Sequence, residues 1–258
     1  MVKIDYPKEL HIFVSIYVSV DMPQTLSDHL YKSKFSLTLV HKASKAIIKK
    51  GAIQLDKDST KLTEGEKLTL KLFEYFTSLQ RVLQDIENVL VFLKIDTKKI
   101  RKVYPLLDTD EEYYKYHFEN YIIRVISLQD IVGKLGNILY KTNIDDEKCN
   151  GYNFKEALKK NDNPKHSYIS AILEQSIDVK KVRHKKLHRG IAEINNLRGV
   201  VFWDDLEKAT SKKFDKILHE MSAGDLSIQI NEIEKETVKI IDLIIEFFDN
   251  SLDELNNI

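Results

Sequence analysis

The segment Val182–Gly190 reads Val-Arg-His-Lys-Lys-Leu-His-Arg-Gly, and it holds the side chains best equipped for chemistry in this chain. Arg183 stands five residues before His188, with His184, Lys185, Lys186 and Arg189 packed around them. A guanidinium is a rigid fork that can grip two phosphate oxygens at once. An imidazole titrates close to neutral pH and can give or take a proton. RNA brings its own nucleophile, the 2′-OH, so a proton carrier beside a phosphate clamp is a minimal set of groups for cutting it. Lys180, Lys181, Lys185, Lys186 and Arg189 would attract the phosphate backbone. The same residues would also make an ordinary solvated basic helix face, and spacing alone does not separate the two readings.

The element that must position them is a predicted helix from about Asp178 to Leu197, with Gly199 as its stop signal. Val179, Val182, Leu187, Ile191, Ile194 and Leu197 form its apolar stripe, and His188 lies beside that stripe, where an imidazole at a groove rim would have a tuned pKa. On a regular helix Arg183 and His188 are about 140° apart, whereas His184 and His188 share a face. One helix therefore makes an incomplete site. Two copies meeting across a two-fold axis would bring paired Arg and His side chains into one cleft.

Residues 61–258 read as a helical bundle that would carry this motif. Thr63 with Glu66, and Thr109 with Glu112, are capping-box pairs. After the first, Leu72, Phe76, Leu79, Leu83, Ile86, Leu90 and Leu93 recur at steps of four and three, a long helix with one apolar seam. After the second, Tyr114, Phe118, Ile122, Val125, Leu128, Val132, Leu135 and Leu139 do the same, and Gly133 and Gly136 would let another helix approach closely. Asn143 to Asn153 reads as a loop, and short helices are expected over Phe154–Lys160 and Tyr168–Ser176 with a break at Asn161–Pro164. Two further helices are expected, Asp204–Met221 and one centred on Ile228–Phe248, the latter deeply buried. Arg124, set among Ile122, Ile123, Val125 and Ile126, is a weaker functional candidate and reads better as a charge satisfied across the bundle.

Residues 1–60 read as a small mixed or β-rich N-terminal appendage. Ile12, Val14, Ile16 and Val18 alternate with Phe13, Ser15, Tyr17 and Ser19, and Pro23 ends the run. Phe35, Leu37 and Leu39 alternate too, consistent with a second strand or with the opening of a helix through Ile48; Gly51 and Asp56–Thr60 read as loop. The fold class expected is thus mainly α, with a small β-containing N-terminal appendage.

Composition narrows the function classes. Lys plus Arg equals Asp plus Glu at 40 each, so nucleic-acid binding would have to rest on a local patch. A single cysteine, Cys149, rules out an internal disulfide and a Cys-based metal site, and reads as a loop residue. Gly133-Lys134-Leu135-Gly136 is no phosphate-binding loop, and His219-Glu220 lacks the second histidine of a zinc-protease helix. No metal or cofactor is expected. The longest apolar run, His11 to Val20, is too short to span a bilayer, and Met1–Asp5 lacks signal-peptide features, so a cytoplasmic protein that does not enter the membrane is expected.

The chain resembles the HEPN superfamily of compact helical bundles found in bacterial toxin–antitoxin and defence systems. The resemblance rests on the family's spacing of Arg, a polar residue, three more residues and His, here Arg183, His184, Lys185–Leu187 and His188, and on the His-Arg-Gly run His188–Gly190. It covers roughly residues 63 to 250. His184 stands where members often have Asn or Asp, and Gly190 where some catalytic members have Tyr. The resemblance implies a HEPN-like bundle and a metal-independent endoribonuclease acting as a homodimer, with His188 as general acid or base, Arg183 on the phosphoryl oxygens and His184 as a second proton-transfer or orienting group. It also implies RNA as substrate and an antitoxin protein as partner. The competing readings are a catalytically silent interaction module, supported by the seam from Leu72 to Leu93, and an RNA- or nucleotide-binding module that does not cleave.

Overall fold

The computed structural model describes residues 25–55, 61–95, 100, 110–175 and 216–258, and every regular element among them is a helix. These are α1 (Leu26–Tyr31), α2 (Lys34–Leu55), α3 (Glu64–Leu93), α4 (Asp110–Leu139), α5 (Gly151–Lys160), α6 (His166–Glu174), α7 (Lys216–Asp249) and α8 (Leu252–Asn256). The predicted motif helix, the Ile12–Ser19 run and Thr109 of the second capping box lie outside the described residues.

The α3–α4 pair is the spine of the bundle. Thr63 opens α3 as expected: its Oγ1 accepts from the Glu66 amide at 3.2 Å, and the Glu66 carboxylate accepts from the Thr63 amide at 2.7 Å. Two donors that would otherwise be orphaned at the helix start are thereby satisfied. All seven residues of the α3 seam are buried, and so are seven of the eight predicted for α4, with Tyr114 half-buried. Stacking two apolar stripes of this length removes them from water together, which is the main source of a bundle's stability.

Helix α5 crosses α4 where the two glycines sit. A Cβ built on Gly133 would come 2.6 Å from the Asn150 backbone, and one on Gly136 would come 2.2 Å from the Phe154 ring. The close approach read from the glycines is therefore present. Helix α5 starts three residues earlier than expected because the Asn150 side chain caps it, accepting from the Asn153 amide at 2.8 Å.

Three expectations are corrected. Residues 25–55 carry no strand: they form α1 and α2, so the β-containing appendage is not what they build. The alternation at Phe35–Leu39 is overridden by a second pattern, Phe35, Leu39, Ala43 and Ala46, which puts one buried face on a helix while Leu37 points outward. That face joins the same apolar cluster as α3, α4 and α7, and Phe35 stacks on Phe248 with ring centroids 4.7 Å apart. The helix also runs through Gly51 to Leu55, where a loop had been expected. Lastly, α7 is unbroken from Lys216 to Asp249, although Ser222-Ala223-Gly224-Asp225 resembles a helix stop followed by a new cap. An internal Gly costs only about 1 kcal/mol in a helix, whereas a break leaves two new sets of unpaired backbone groups. Continuity wins.

The far end of α7 is deeply buried as predicted, through Ile240, Ile241, Ile244, Phe247 and Phe248. It also secures the N-terminal helices. Asp249 accepts from the Phe35 amide at 2.9 Å in the first turn of α2, and Asp242 pairs with His29 of α1 at 2.9 Å. Lys42 of α2 donates to the carbonyls of Leu255 and Asn256 at 2.7 and 3.2 Å, covering orphan acceptors at the end of α8. No helix of the described residues is long and apolar enough to cross a membrane.

Candidate functional site

Lys180, Lys181, Arg183, His184, Lys185, Lys186, His188 and Arg189 all lie outside the described residues, in the chain between α6 and α7. Helix α6, which precedes that segment, is firmly held. Helices α6 and α7 pack on each other, and Ile169, Ile172 and Leu173 of α6 are buried. The buried Gln129 of α4 donates its side-chain amide to the Ile172 carbonyl at 2.9 Å, tying the last turn of α6 to the spine.

Arg124 has the structural role that the sequence favoured. Its Nη1 lies 3.1 Å from Asp85 Oδ2 on α3, and both side chains are partly exposed, the setting in which an ion pair contributes little.

Two polar clusters escaped the sequence reading. In the first, the Tyr75 hydroxyl on α3 donates to the Asp146 carboxylate, 2.6 Å from each oxygen. The Lys71 and Lys134 ammonium groups lie 5.8 and 5.6 Å from the Tyr75 ring centroid, and Lys71 is 3.9 Å from Asp146. Burial, with the Asp146 charge adding to it, pushes the Tyr75 phenol well above its ordinary range, and the Tyr75 hydrogen bond holds Asp146 below its own. Neutral phenol and ionised carboxylate form a tie between α3 and the loop before α5. Cys149 sits in that loop as the sequence predicted. It is buried, and burial pushes its thiol up to about 11, so it supplies no thiolate at neutral pH. No spacing rule connects Tyr75 to Asp146, because their contact depends on how the loop folds back.

The second cluster surrounds His117 of α4, which is 8% exposed. Its ring stacks on Phe92 at 5.0 Å and meets Tyr113 edge-on at 4.4 Å and Tyr116 at 5.2 Å. The Tyr113 hydroxyl donates to the Phe92 carbonyl at 2.8 Å, closing the end of α3 against the start of α4. Nδ1 of His117 is buried and has no hydrogen-bond partner among the described residues. Burial lowers its pKa below the ordinary 6.5, so the folded chain resists a proton that the unfolded chain takes up. The stability contribution is full above the ordinary value and is lost as pH falls through it toward the lower folded value. Urea unfolding midpoints should therefore drop between about pH 7 and pH 5, more steeply than in His117→Phe, which keeps the ring stack without the titration. Parallel pH profiles for the two proteins would show that His117 is not a source of this slope.

Among the described residues no group of three His, Cys, Asp or Glu side chains gathers as a metal site. The catalytic candidates remain those offered by the sequence, Arg183, His184 and His188. The family model for Cthe2314-like HEPN matches residues 75–256, more than two thirds of the sequence. The chain belongs to the Cthe2314-like HEPN family. The HEPN match begins at Tyr75 within α3, ends at Asn256 in α8, and includes the whole of Val182–Gly190. It leaves α1, α2 and the first turns of α3 outside, so the HEPN unit recognised by the family is shorter at its start than the packed bundle. No curated protein and no solved structure gave a match.

Proposed function

We propose that this HEPN protein is a metal-independent endoribonuclease whose site is built from Arg183, His184 and His188. The observation that carries the reading is family membership over residues 75–256, a span that includes the Arg183 to His188 spacing. HEPN domains are associated with RNA-related and nuclease functions and often form dimers.

The chemistry follows from the groups. One imidazole removes the proton of the 2′-OH, and the freed oxygen attacks the adjacent phosphorus. The bond from phosphorus to the 5′-oxygen breaks, and that oxygen takes a proton from a protonated imidazole. The products are a 2′,3′-cyclic phosphate and a 5′-OH, and no bound metal takes part. His188 is the proton carrier, a role worth typically 10²–10⁴-fold. Arg183 binds two non-bridging phosphoryl oxygens and stabilises the charge that builds on them. His184, four residues before His188, is the second proton carrier or orients the first. Lys180, Lys181, Lys185, Lys186 and Arg189 steer the backbone. Pairing two motif helices in a homodimer completes the cleft, and a toxin or defence role in the cytoplasm with a protein antitoxin fits this activity.

The test is digestion of total cellular RNA in EDTA by the unaltered chain and by His188→Ala. Cutting that survives the chelator, leaves cyclic phosphate ends and disappears in the variant is the expected result. RNA left intact by both proteins would overturn the enzyme reading in favour of a binding module.

A further inference from the structure

Helix α2 has two different faces. Phe35, Leu39, Ala43 and Ala46 are buried against the bundle. On the opposite side Lys34, Leu37, His41, Ser44 and Ile48 recur at steps of three and four, all exposed, with Ile47 and Lys45 beside them. Leu37 is 63% exposed, Ile48 53% and Ile47 45%, a line of apolar side chains on the solvent side of a helix whose inner face already serves the core. Buried packing gives no reason for them.

The charge on this helix is one-sided. In a chain that balances 40 cationic against 40 anionic residues, α2 carries five lysines and a histidine and no Asp or Glu. Two of the lysines have work inside the fold: Lys42 covers the end of α8, and Lys49 binds Glu66 at 2.7 Å. Lys34, Lys45 and Lys50 are exposed and make no ion pair with the other described residues.

We propose that the outer face of α2 docks an acidic amphipathic helix of a partner protein. The twelve residues from Leu37 to Ile48 span about 16 Å, three helical turns, which matches the reach of a helix laid along the face with apolar anchors at its two ends. Lys34 and Lys45, on one flank of this line, meet carboxylates beside those anchors, and this charge complementarity sets partner choice and encounter rate. An RNA backbone would engage the lysines but leave Leu37, Ile47 and Ile48 uncovered. An anionic membrane surface would call for a broad apolar face with large aromatic residues, whereas His41 and Ser44 interrupt this narrow line.

The probe is a fluorescein-labelled, hydrocarbon-stapled peptide of about 20 residues, long enough to cover the face, with Leu on one stripe and Glu on either side. It is titrated with the full chain at low salt and read by fluorescence anisotropy. Saturable binding is expected, weakened roughly tenfold or more by Lys34→Glu/Lys45→Glu and also by Leu37→Ser/Ile48→Ser, a loss equivalent to about 1.4 kcal/mol. Lys159→Glu/Lys160→Glu, on the exposed side of α5, should leave it unchanged. A peptide with Lys in place of Glu should recover binding to the charge-reversed variant. Absence of binding, or equal weakening by the α5 changes, would overturn the proposal. So would binding of phosphatidylserine vesicles or single-stranded RNA that is lost in the α2 variants while the peptide is not bound. All the substitutions are at exposed positions, and circular dichroism checks that the helices remain.

Discussion

Arg183→Lys should cleave RNA at least about 100-fold more slowly than the unaltered chain, although the charge is preserved. The reason is geometric. Lysine offers a point charge on a flexible stem, whereas the guanidinium presents parallel donors to two oxygens at once. If Arg183 acts on the charge that develops at phosphorus, the loss appears in kcat, because the interaction strengthens only as that charge builds. If Arg183 merely helps hold the RNA backbone, Arg183→Lys should behave almost normally, and Arg183→Ala should raise KM and reduce the salt dependence of binding by about one phosphate contact. Single-turnover rates at saturating RNA separate the two. A near-normal rate for Arg183→Lys would remove Arg183 from the transition state and leave His188 without its proposed partner.

Gly136→Ala should destabilise the bundle by about 2 kcal/mol, whereas Gly51→Ala should stabilise it by up to about 1 kcal/mol. Both glycines lie within helices, where alanine is intrinsically the better residue. At Gly51 a new Cβ would meet nothing within 4 Å. At Gly136 it would meet Phe154 at 2.2 and 2.3 Å. Phe154 has little room to move: it is fully buried, with Tyr140 and Phe247 ring centroids 6.1 and 6.3 Å away. Overpacking against a confined ring therefore outweighs helix propensity. Adding Phe154→Leu to Gly136→Ala should cost less than the sum of the two single changes, because the smaller side chain vacates the contested space. Urea midpoints for the four proteins measure this, and strict additivity would show that the clash is relieved elsewhere.

The contrast between these glycines shows where the sequence was legible. Gly133 and Gly136 sit among large apolar residues of α4, so close approach was readable from their neighbours, but the residue approaching them was not. The α3 seam was readable because its seven positions keep one period without interruption and its cap is a local motif. Helix α2 was ambiguous because Phe35, Leu37 and Leu39 satisfy a two-residue period while Phe35, Leu39, Ala43 and Ala46 satisfy a helical one. The two alanines that decide the matter carry little hydrophobic weight. The two helices expected over Asp204–Met221 and Ile228–Phe248 join within α7, whose continuous backbone hydrogen bonding carries the helix through Gly224. For the site, residue type and spacing offered Arg183 and His188 as candidates, and both lie outside the described residues. The aromatic enclosure of His117 and the Tyr75–Asp146 tie were not legible, since each depends on residues brought together only by packing.

The Asp249 cap on α2 also bears on how this molecule comes into being. Phe35 and Asp249 are 214 positions apart, and Lys42 and Leu255 are 213 apart. During synthesis α1 and α2 leave the ribosome early, yet Asp249, which accepts from the start of α2, and the carbonyls that receive Lys42 are made only at the end of α7 and in α8. Helix α2 can pack on α3 as soon as that helix emerges, but the Phe35 ring stays without its Phe248 partner until the last helices arrive. Sequence-distant closures of this kind slow folding relative to a bundle joined only by neighbouring helices, and they leave the nascent chain open to association in the interval.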